Sequence, residues 1–252
     1  MLPISGTEAG RARFEVGAGG DTTMEVDRAA EAVVFAELAQ LYERGERFSV
    51  LSEESGLRSF GAGYPLVLVD PVDGSLNAKQ GVPLFGLMLA VLDGPLVGDA
   101  YVGCVMNLNT GDQWTAIRGQ GAWRSGSALK VLPRAEAGRI EILGLESTPR
   151  ALTVARPLVE RSSKIRILGS MAISLALTAG GAFDVFCAPM PVRVFDTVAS
   201  LVLLNQAGGV ATDISGQPLA RLDCALEVRS TVLCAATKEL HAEALKILES
   251  AK

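Results

Sequence analysis

The apolar run Pro65-Leu-Val-Leu-Val69 ends directly on Asp70-Pro-Val-Asp-Gly-Ser75. It reads as an apolar strand that delivers Asp70 at its C-terminal end. Pro71 removes a ladder donor and stiffens the turn. Gly74 permits a backbone conformation that other residues resist. Two carboxylates this close on a rigid turn can bridge divalent cations, and the Gly74 and Ser75 amides can meet a phosphate oxygen. The same residues also make an ordinary Asx-type turn with a helix cap, which is the better reading of the motif taken alone.

The bulk of the chain narrows the choice. Among 252 residues 28 are acidic and one is histidine, so a Ser-His-Asp triad or a His-rich zinc site would rest on His241 alone. His241 lies in a polar helical tail with Lys238, Glu239 and Glu243 and is expected to face solvent. Carboxylates are the available tools, and clustered carboxylates suit a hard cation such as magnesium. The net charge of −5 and an aromatic content of 5% argue against nucleic-acid binding and base stacking. Cys104, Cys187, Cys224 and Cys234 form no CxxC pair and read as buried hydrophobes in a reducing compartment. The N-terminus shows no apolar signal region, and the uncharged stretch from Ile167 to Phe183 carries glycines and serines that suit a buried helix. A cytoplasmic protein with no membrane partner is expected.

The apolar spacing from Glu25 to Arg44 predicts a helix, and Phe48–Leu51 a short strand before Ser52-Glu-Glu-Ser-Gly56. Strands are expected at Leu84–Leu92, Leu96–Cys104, Asp112–Ile117 and Ala122–Trp123, with a hairpin turn at Asp93-Gly94-Pro95. The second half alternates strands (Arg139–Leu143, Lys164–Leu168, Val210–Thr212, Thr231–Ala235) with helices (Pro149–Val159, Ser170–Ala179, Asp196–Ala207, Lys238–Ala251). A soft boundary near Pro133–Gly138 divides an N-terminal α+β half, 1–134, from a C-terminal α/β half, 135–252.

Other carboxylates sit where chemistry is possible but a plain role is the default. Glu53 and Glu54 follow a strand and read equally as surface glutamates; Asp196 opens a helix and reads as an N-cap. Asp27 lies early in the first helix, where an outer-face polar residue is ordinary. The combination is not ordinary. Gly20-Asp-Thr-Thr-x-x-Val-Asp27-x-x-Ala-Glu31, Ser52-Glu-Glu-Ser-Gly56, Asp70-Pro-Val-Asp-Gly-Ser-Leu-Asn77 and Phe195-Asp-Thr-Val-Ala199 occur in the order and approximate spacing of the inositol monophosphatase family. Leu168-Gly-Ser-Met-Ala172 and Gly181-Ala-Phe-Asp184 add to the resemblance, which runs from about Val16 to the C-terminus. Asn77-Ala-Lys-Gln-Gly-Val-Pro83 resembles the archaeal-type branch, whose members are often both inositol monophosphatases and fructose-1,6-bisphosphatases.

The resemblance implies the layered α-β-α-β-α sandwich of the fructose-1,6-bisphosphatase and inositol monophosphatase superfamily. It implies a magnesium-dependent, lithium-sensitive phosphatase, commonly a homodimer, that acts on a small phosphate ester with two or three Mg2+ ions per site. By motif position Glu53, Asp70 and the Val72 carbonyl would bind the first ion, and Asp70, Asp73 and Asp196 the second. A third, weaker ion in the family accompanies the Gly-rich loop, where Asp21 and Glu53 are its contacts here. Ser75, in place of the usual threonine, would with Asp27 orient and deprotonate the attacking water, and the Gly74 and Ser75 amides would hold the phosphate. Ser170 and Met171 would lie near the leaving-group sugar. The segment before Asp196 lacks the glutamate that often binds inositol hydroxyls and has Arg193 instead. With Lys164 and Arg166 nearby in sequence, Arg193 suits a second phosphate, although a surface arginine is an equal reading. The alternatives are a nucleotide phosphatase of the same superfamily, acting on 3′-phosphoadenosine 5′-phosphate or NADP, and a non-catalytic sugar-phosphate sensor.

Overall fold

The computed structural model describes residues 4–131, 139–146 and 148–250. The expected boundary at Pro133–Gly138 lies outside the described residues. Before it come β1 (Arg13–Val16), β2 (Thr22–Met24), α1 (Glu25–Glu43), β3 (Phe48–Ser52), β4 (Gly56–Asp73), α2 (Ser75–Gln80), β5 (Gly86–Leu92), β6 (Ala100–Asn107), β7 (Gln113–Ile117), β8 (Gly121–Arg124) and β9 (Ser127–Ala128). After it come β10 (Ile140–Leu145), α3 (Pro149–Arg161), β11 (Ser162–Arg166), α4 (Met171–Ala179), β12 (Val185–Arg193), α5 (Val198–Ala207), β13 (Val210–Thr212), β14 (Arg229–Ala235) and α6 (Lys238–Glu249).

Strands β3 to β9 form a seven-stranded sheet in chain order, and a five-stranded sheet runs β11-β10-β12-β14-β13. Helices α4 and α5 lie between the two sheets, α1 covers the outer face of the first, and α3 and α6 cover the outer face of the second. This is the α-β-α-β-α sandwich that the motifs imply.

The local reasons are readable in the side chains. Along β4, Leu66 and Leu68 join the central core with Ile173, Leu175, Leu203 and Leu204, while Val67 and Val69 pack with Leu38, Phe48 and Val50 under α1. Both faces of the strand are buried, so its apolar pattern is continuous rather than alternating. The first half of β4 turns back along the other side of β3: Ser52 opposes both Gly56 and Val69. Helices α4 and α5 are apolar on every face because a sheet covers each side.

Several expectations need correction. The structure has β6 at Ala100–Asn107, not Leu96–Cys104; Leu96 pairs with Asp223 and Val97–Asp99 form a 3-10 turn, so the β5–β6 connection is longer than a tight hairpin. Asp196 lies in a 3-10 turn, Phe195–Thr197, and α5 starts at Val198. Strand β12 was not expected, since Pro189 and Pro191 interrupt its apolar run. Its register against β14 shifts between Ala188 and Val192, where the missing ladder donors are tolerated. His241 does not face solvent. It is 6% exposed, and its Nε2 lies 2.9 Å from the Thr212 hydroxyl, which itself donates to the Asp213 carbonyl. Burial holds the imidazole pKa below its ordinary value, and His241 packs as a core residue.

Candidate active site

Strand β4 carries Asp70 to its C-terminal end, where the carboxylate is 2% exposed and its Oδ1 accepts the Val72 amide at 3.0 Å. Gly74 follows at φ +90°, and a side chain there would meet the Gly169 and Leu84 carbonyls at 3.0 and 3.2 Å. Only glycine makes that turn. The Ser75 hydroxyl donates to the Val72 carbonyl at 2.8 Å.

Glu53 sits in the turn after β3, with its amide donating to the Val69 carbonyl at 3.2 Å. That turn is clamped from α1: Glu31 Oε1 accepts Ser52 Oγ at 2.5 Å, Ser55 Oγ at 2.8 Å and the Ser55 amide at 3.1 Å. Glu31 was visible in the sequence motif but had no role assigned. Glu54 lines the same cavity, accepts the Thr23 hydroxyl, and burial pushes its pKa up to about 7, with the charges of Asp27 and Glu53 adding to the rise.

Asp196 arrives from the second half of the chain. Ligand oxygens of Glu53, Asp70 and Asp196 lie within 4.8 Å of one another. Asp196 Oδ2 accepts Arg193 Nε at 2.9 Å, whereas its Oδ1 is buried with no hydrogen-bond partner among the described residues. Three acidic oxygen donors converging on one point, one of them orphaned, fit a hard divalent cation. The electrostatics agree. Burial, then the charges of Glu53, Asp73 and Asp196, push the Asp70 pKa well above the carboxylate range, with Arg193 opposing. Burial pushes Asp196 up to about 7 against the pull of Arg193, with Glu53 and Asp73 adding to the rise.

Asp73 stands outside that trio. It caps α4: Oδ2 accepts the Ser170 hydroxyl and, at 2.9 Å, the Ala172 amide, and Oδ1 accepts the Met171 amide at 3.2 Å. Burial lifts its pKa to about 6 against those hydrogen bonds. Ser170 and Met171 are buried and reach Asp73 instead of lining the cavity.

Asp27 is not an outer-face residue. At the third position of α1 it is 3% exposed, and its Oδ2 accepts the Met24 amide at 2.9 Å. Its Oδ1 is buried with no hydrogen-bond partner among the described residues, and burial pushes its pKa up to about 6, against the hydrogen bond from the Met24 amide.

These groups share a cavity of about 340 Å3. Its lining contains Asp21, Asp27, Glu53, Asp70, Val72, Asp73, Gly74, Ser75 and Arg193, and omits Asp196, Ser170, Met171 and Arg166. Arg166 is exposed and donates to the Ile165 carbonyl at 2.8 Å. Arg193 reaches inward from the end of β12. Its Nη1 pairs with Glu53 and, at 3.2 Å, with Asp21; Asp196 and Glu53 keep it charged despite its burial. Asn77 ties the halves together, donating to the Leu84 and Leu168 carbonyls at 2.7 Å each.

Comparison with known proteins agrees with this geometry. The chain is 30% identical over 260 residues to a fructose-1,6-bisphosphatase/inositol-1-monophosphatase of Methanothermobacter thermautotrophicus, covering 99% of this chain and 91% of the relative. It is 31% identical over 240 residues to the enzyme of the same description from Archaeoglobus fulgidus, covering 93% and 86%. Its fold superposes with a TM-score of 0.80 on a Pyrococcus horikoshii protein described as having similarities for inositol-1 monophosphatase, at 23% identity and covering 98% and 91% of the two chains. The family model described as the inositol monophosphatase family matches residues 7–252, and the chain belongs to that family.

Proposed function

We propose that the chain is a magnesium-dependent phosphomonoesterase acting on inositol-1-phosphate and/or fructose-1,6-bisphosphate. The observation that carries this reading is the Glu53, Asp70 and Asp196 cluster, with its orphaned Asp196 oxygen, beside the Asp27–Ser75 pair. Glu53, Asp70, Asp196, Asp73 and the Val72 carbonyl would hold magnesium. When bound there it offsets the charge of a phosphomonoester dianion and acidifies a water. Asp27, poised near neutrality, takes the proton of the attacking water, and the Ser75 hydroxyl aligns it. The Gly74 and Ser75 amides meet the phosphate oxygens at the start of α2. Water attacks in line, and no histidine, cysteine or serine nucleophile is needed. The Nη2 of Arg193, which its three ion pairs do not use, is the group available to a second phosphate. The protein works as a cytoplasmic homodimer in this reading.

A nucleotide phosphatase is the second reading. A bifunctional NADP phosphatase/NAD kinase of Methanococcus maripaludis is 26% identical over 93% of this chain and 44% of that protein. Phosphate release from inositol-1-phosphate, fructose-1,6-bisphosphate, NADP and 3′-phosphoadenosine 5′-phosphate, each with magnesium or EDTA, ranks the substrates. Faster turnover of either nucleotide overturns the sugar-phosphate preference, and no magnesium-dependent release from any of them overturns the enzyme reading.

A further inference from the structure

The guanidinium of Arg193 lies among three carboxylates from three separate segments. Its Nε pairs with Asp196 at 2.9 Å, and its Nη1 pairs with Glu53 and with Asp21 at 3.2 Å. The side chains of Arg193, Glu53 and Asp196 are largely buried, while that of Asp21 is 79% exposed. The pairs do not consume the cluster, since Asp196 Oδ1 remains free of any hydrogen bond. The Gly-rich loop closes directly over the guanidinium. The Gly19 amide donates to the Glu53 carbonyl at 2.7 Å, the Ala18 amide to the Glu54 carbonyl at 3.0 Å, and Gly17 to the Asp21 carbonyl at 2.9 Å. A methyl group on Gly19 would sit 2.7 Å from Arg193 Nη1 and 2.7 Å from Glu53 Cγ.

The space between Asp21 and Glu53 is therefore filled by a cation that is part of the chain. Magnesium there would need ligands at about 2.0–2.1 Å and several retained waters, and the loop lies too close to admit them while the arginine stays. Arginine keeps its charge at every working pH, and its planar fork addresses several carboxylates at once.

We propose that Arg193 is a built-in cation that takes the Asp21–Glu53 position and fastens the Gly17–Asp21 loop to the site, so that no metal ion binds between those two carboxylates. The inference rests on the reading of the neighbouring Glu53, Asp70 and Asp196 oxygens as a magnesium site. It divides the carboxylate cluster in two. The side facing Asp196 Oδ1 takes metal, and the side facing the loop carries its own counter-charge. The exposed Asp21 arm is the weak link of the clasp, so the loop can release without disturbing the buried Glu53 and Asp196 pairs.

The test counts bound ions directly, using Mn2+ as a paramagnetic probe in titrations of wild type, Asp21→Asn, Arg193→Met and the double variant. Wild type and Asp21→Asn are expected to bind the same number of ions. Arg193→Met gains one ion, which the double variant loses. Hydrogen exchange in EDTA gives a second readout, with protection of the Ala18 and Gly19 amides falling about tenfold in Arg193→Met. If Asp21→Asn lowers the number of ions bound to otherwise intact protein, the inference is wrong, and this arm stands even where Arg193→Met fails to fold. An Arg193→Met protein that gains no Asp21-dependent ion also overturns it. A wild type that binds no Mn2+ overturns the metal-site reading on which the inference rests, whereas the two preceding outcomes overturn the inference alone.

Discussion

Asp27→Asn separates the charge of the site from its shape. The asparagine oxygen can still accept the Met24 amide, so the cap on α1 survives. What is lost is an ionisable group whose pKa rises from 3.8 to about 6 in the folded chain, chiefly by burial. The raised pKa favours the protonated form in the fold, so its contribution is complete below 3.8 and is lost as pH climbs through 6. The loss is about 1 kcal/mol at pH 4.5 and about 3 kcal/mol at pH 8, at 1.36 kcal/mol per pH unit. Asparagine carries no such penalty. In EDTA the variant should therefore gain about 2 kcal/mol on wild type between pH 4.5 and pH 8, a widening of roughly 4–8 °C in Tm for a chain of this size. Magnesium-dependent turnover should fall by about 10²–10⁴, as expected for loss of a general base. Thermal melts at the two pH values, paired with phosphate release, make the measurement. A Tm difference that is the same at both pH values would refute the buried-charge account, and undiminished turnover would refute the base assignment.

Asp73→Asn should abolish turnover while leaving the far-UV spectrum near wild type; its one amide oxygen can keep the Ser170 hydroxyl and the Ala172 amide, but the Met171 amide loses its acceptor, which should cost about 1–3 kcal/mol in urea unfolding, and retained activity would remove Asp73 from the metal-dependent machinery. Asp184→Ala tests the fold rather than the chemistry. Its Oδ2 accepts the Glu141 and Ile142 amides at 2.7 and 2.8 Å, so truncation strands two amides at the start of β10. The cost should be about 2–6 kcal/mol in urea unfolding, at about 1–3 kcal/mol per unsatisfied group, and a loss under 1 kcal/mol would contradict that assignment. Magnesium binding should displace protons from Asp73 and Asp196, whose pKa values rise to about 6 and about 7. Calorimetry in buffers of different ionisation enthalpy should show more protons released at pH 6 than at pH 8.5, and equal release would count against those two groups.

The carboxylates were legible only in combination: each local position alone suits a turn, a cap or a surface acid, and it is their order and spacing along the chain that marks them. Asp70 ends an apolar strand, Asp73 follows on the same turn, and Asp196 stands just before an apolar helix. Strand and helix alternation marked the second half as α/β, while the order of layers followed from the family resemblance. Arg193 was not legible in the same way. Three residues before Asp196 it could be seen as a cation near the site, but its Glu53 partner is 140 residues away, and no spacing rule reaches that far. Strand β12 was missed because its two prolines fit only at a register irregularity that exists in the assembled sheet. His241 was misjudged because its neighbours in sequence are charged, whereas its neighbour in space is Thr212 on β13. Ser170 lay on the right turn, yet its hydroxyl serves Asp73, a contact set by how α4 docks against the end of β4.

That docking connects the stability of the protein to its chemistry. Asp70 and Asp73 come from one half of the sequence, and Asp196, Arg193 and the α4 amides from the other, so the halves must meet before the site exists. Asn77 spans the same seam through the Leu84 and Leu168 carbonyls. The raised pKa values of Asp70, Asp73 and Asp196 mark first the cost of burying carboxylates out of water and second their mutual repulsion. In the metal-free chain that cost weighs on the assembled site and grows as pH rises through 6 and 7. A divalent cation that bound only the assembled ligands would reverse the sign of the problem; at 100 times its Kd it would stabilise the fold by about 2.7 kcal/mol. Arg193 relieves part of the same repulsion from within the chain. In the proposed arrangement the arginine holds Asp196 Oδ2, and Oδ1 would be left to the metal.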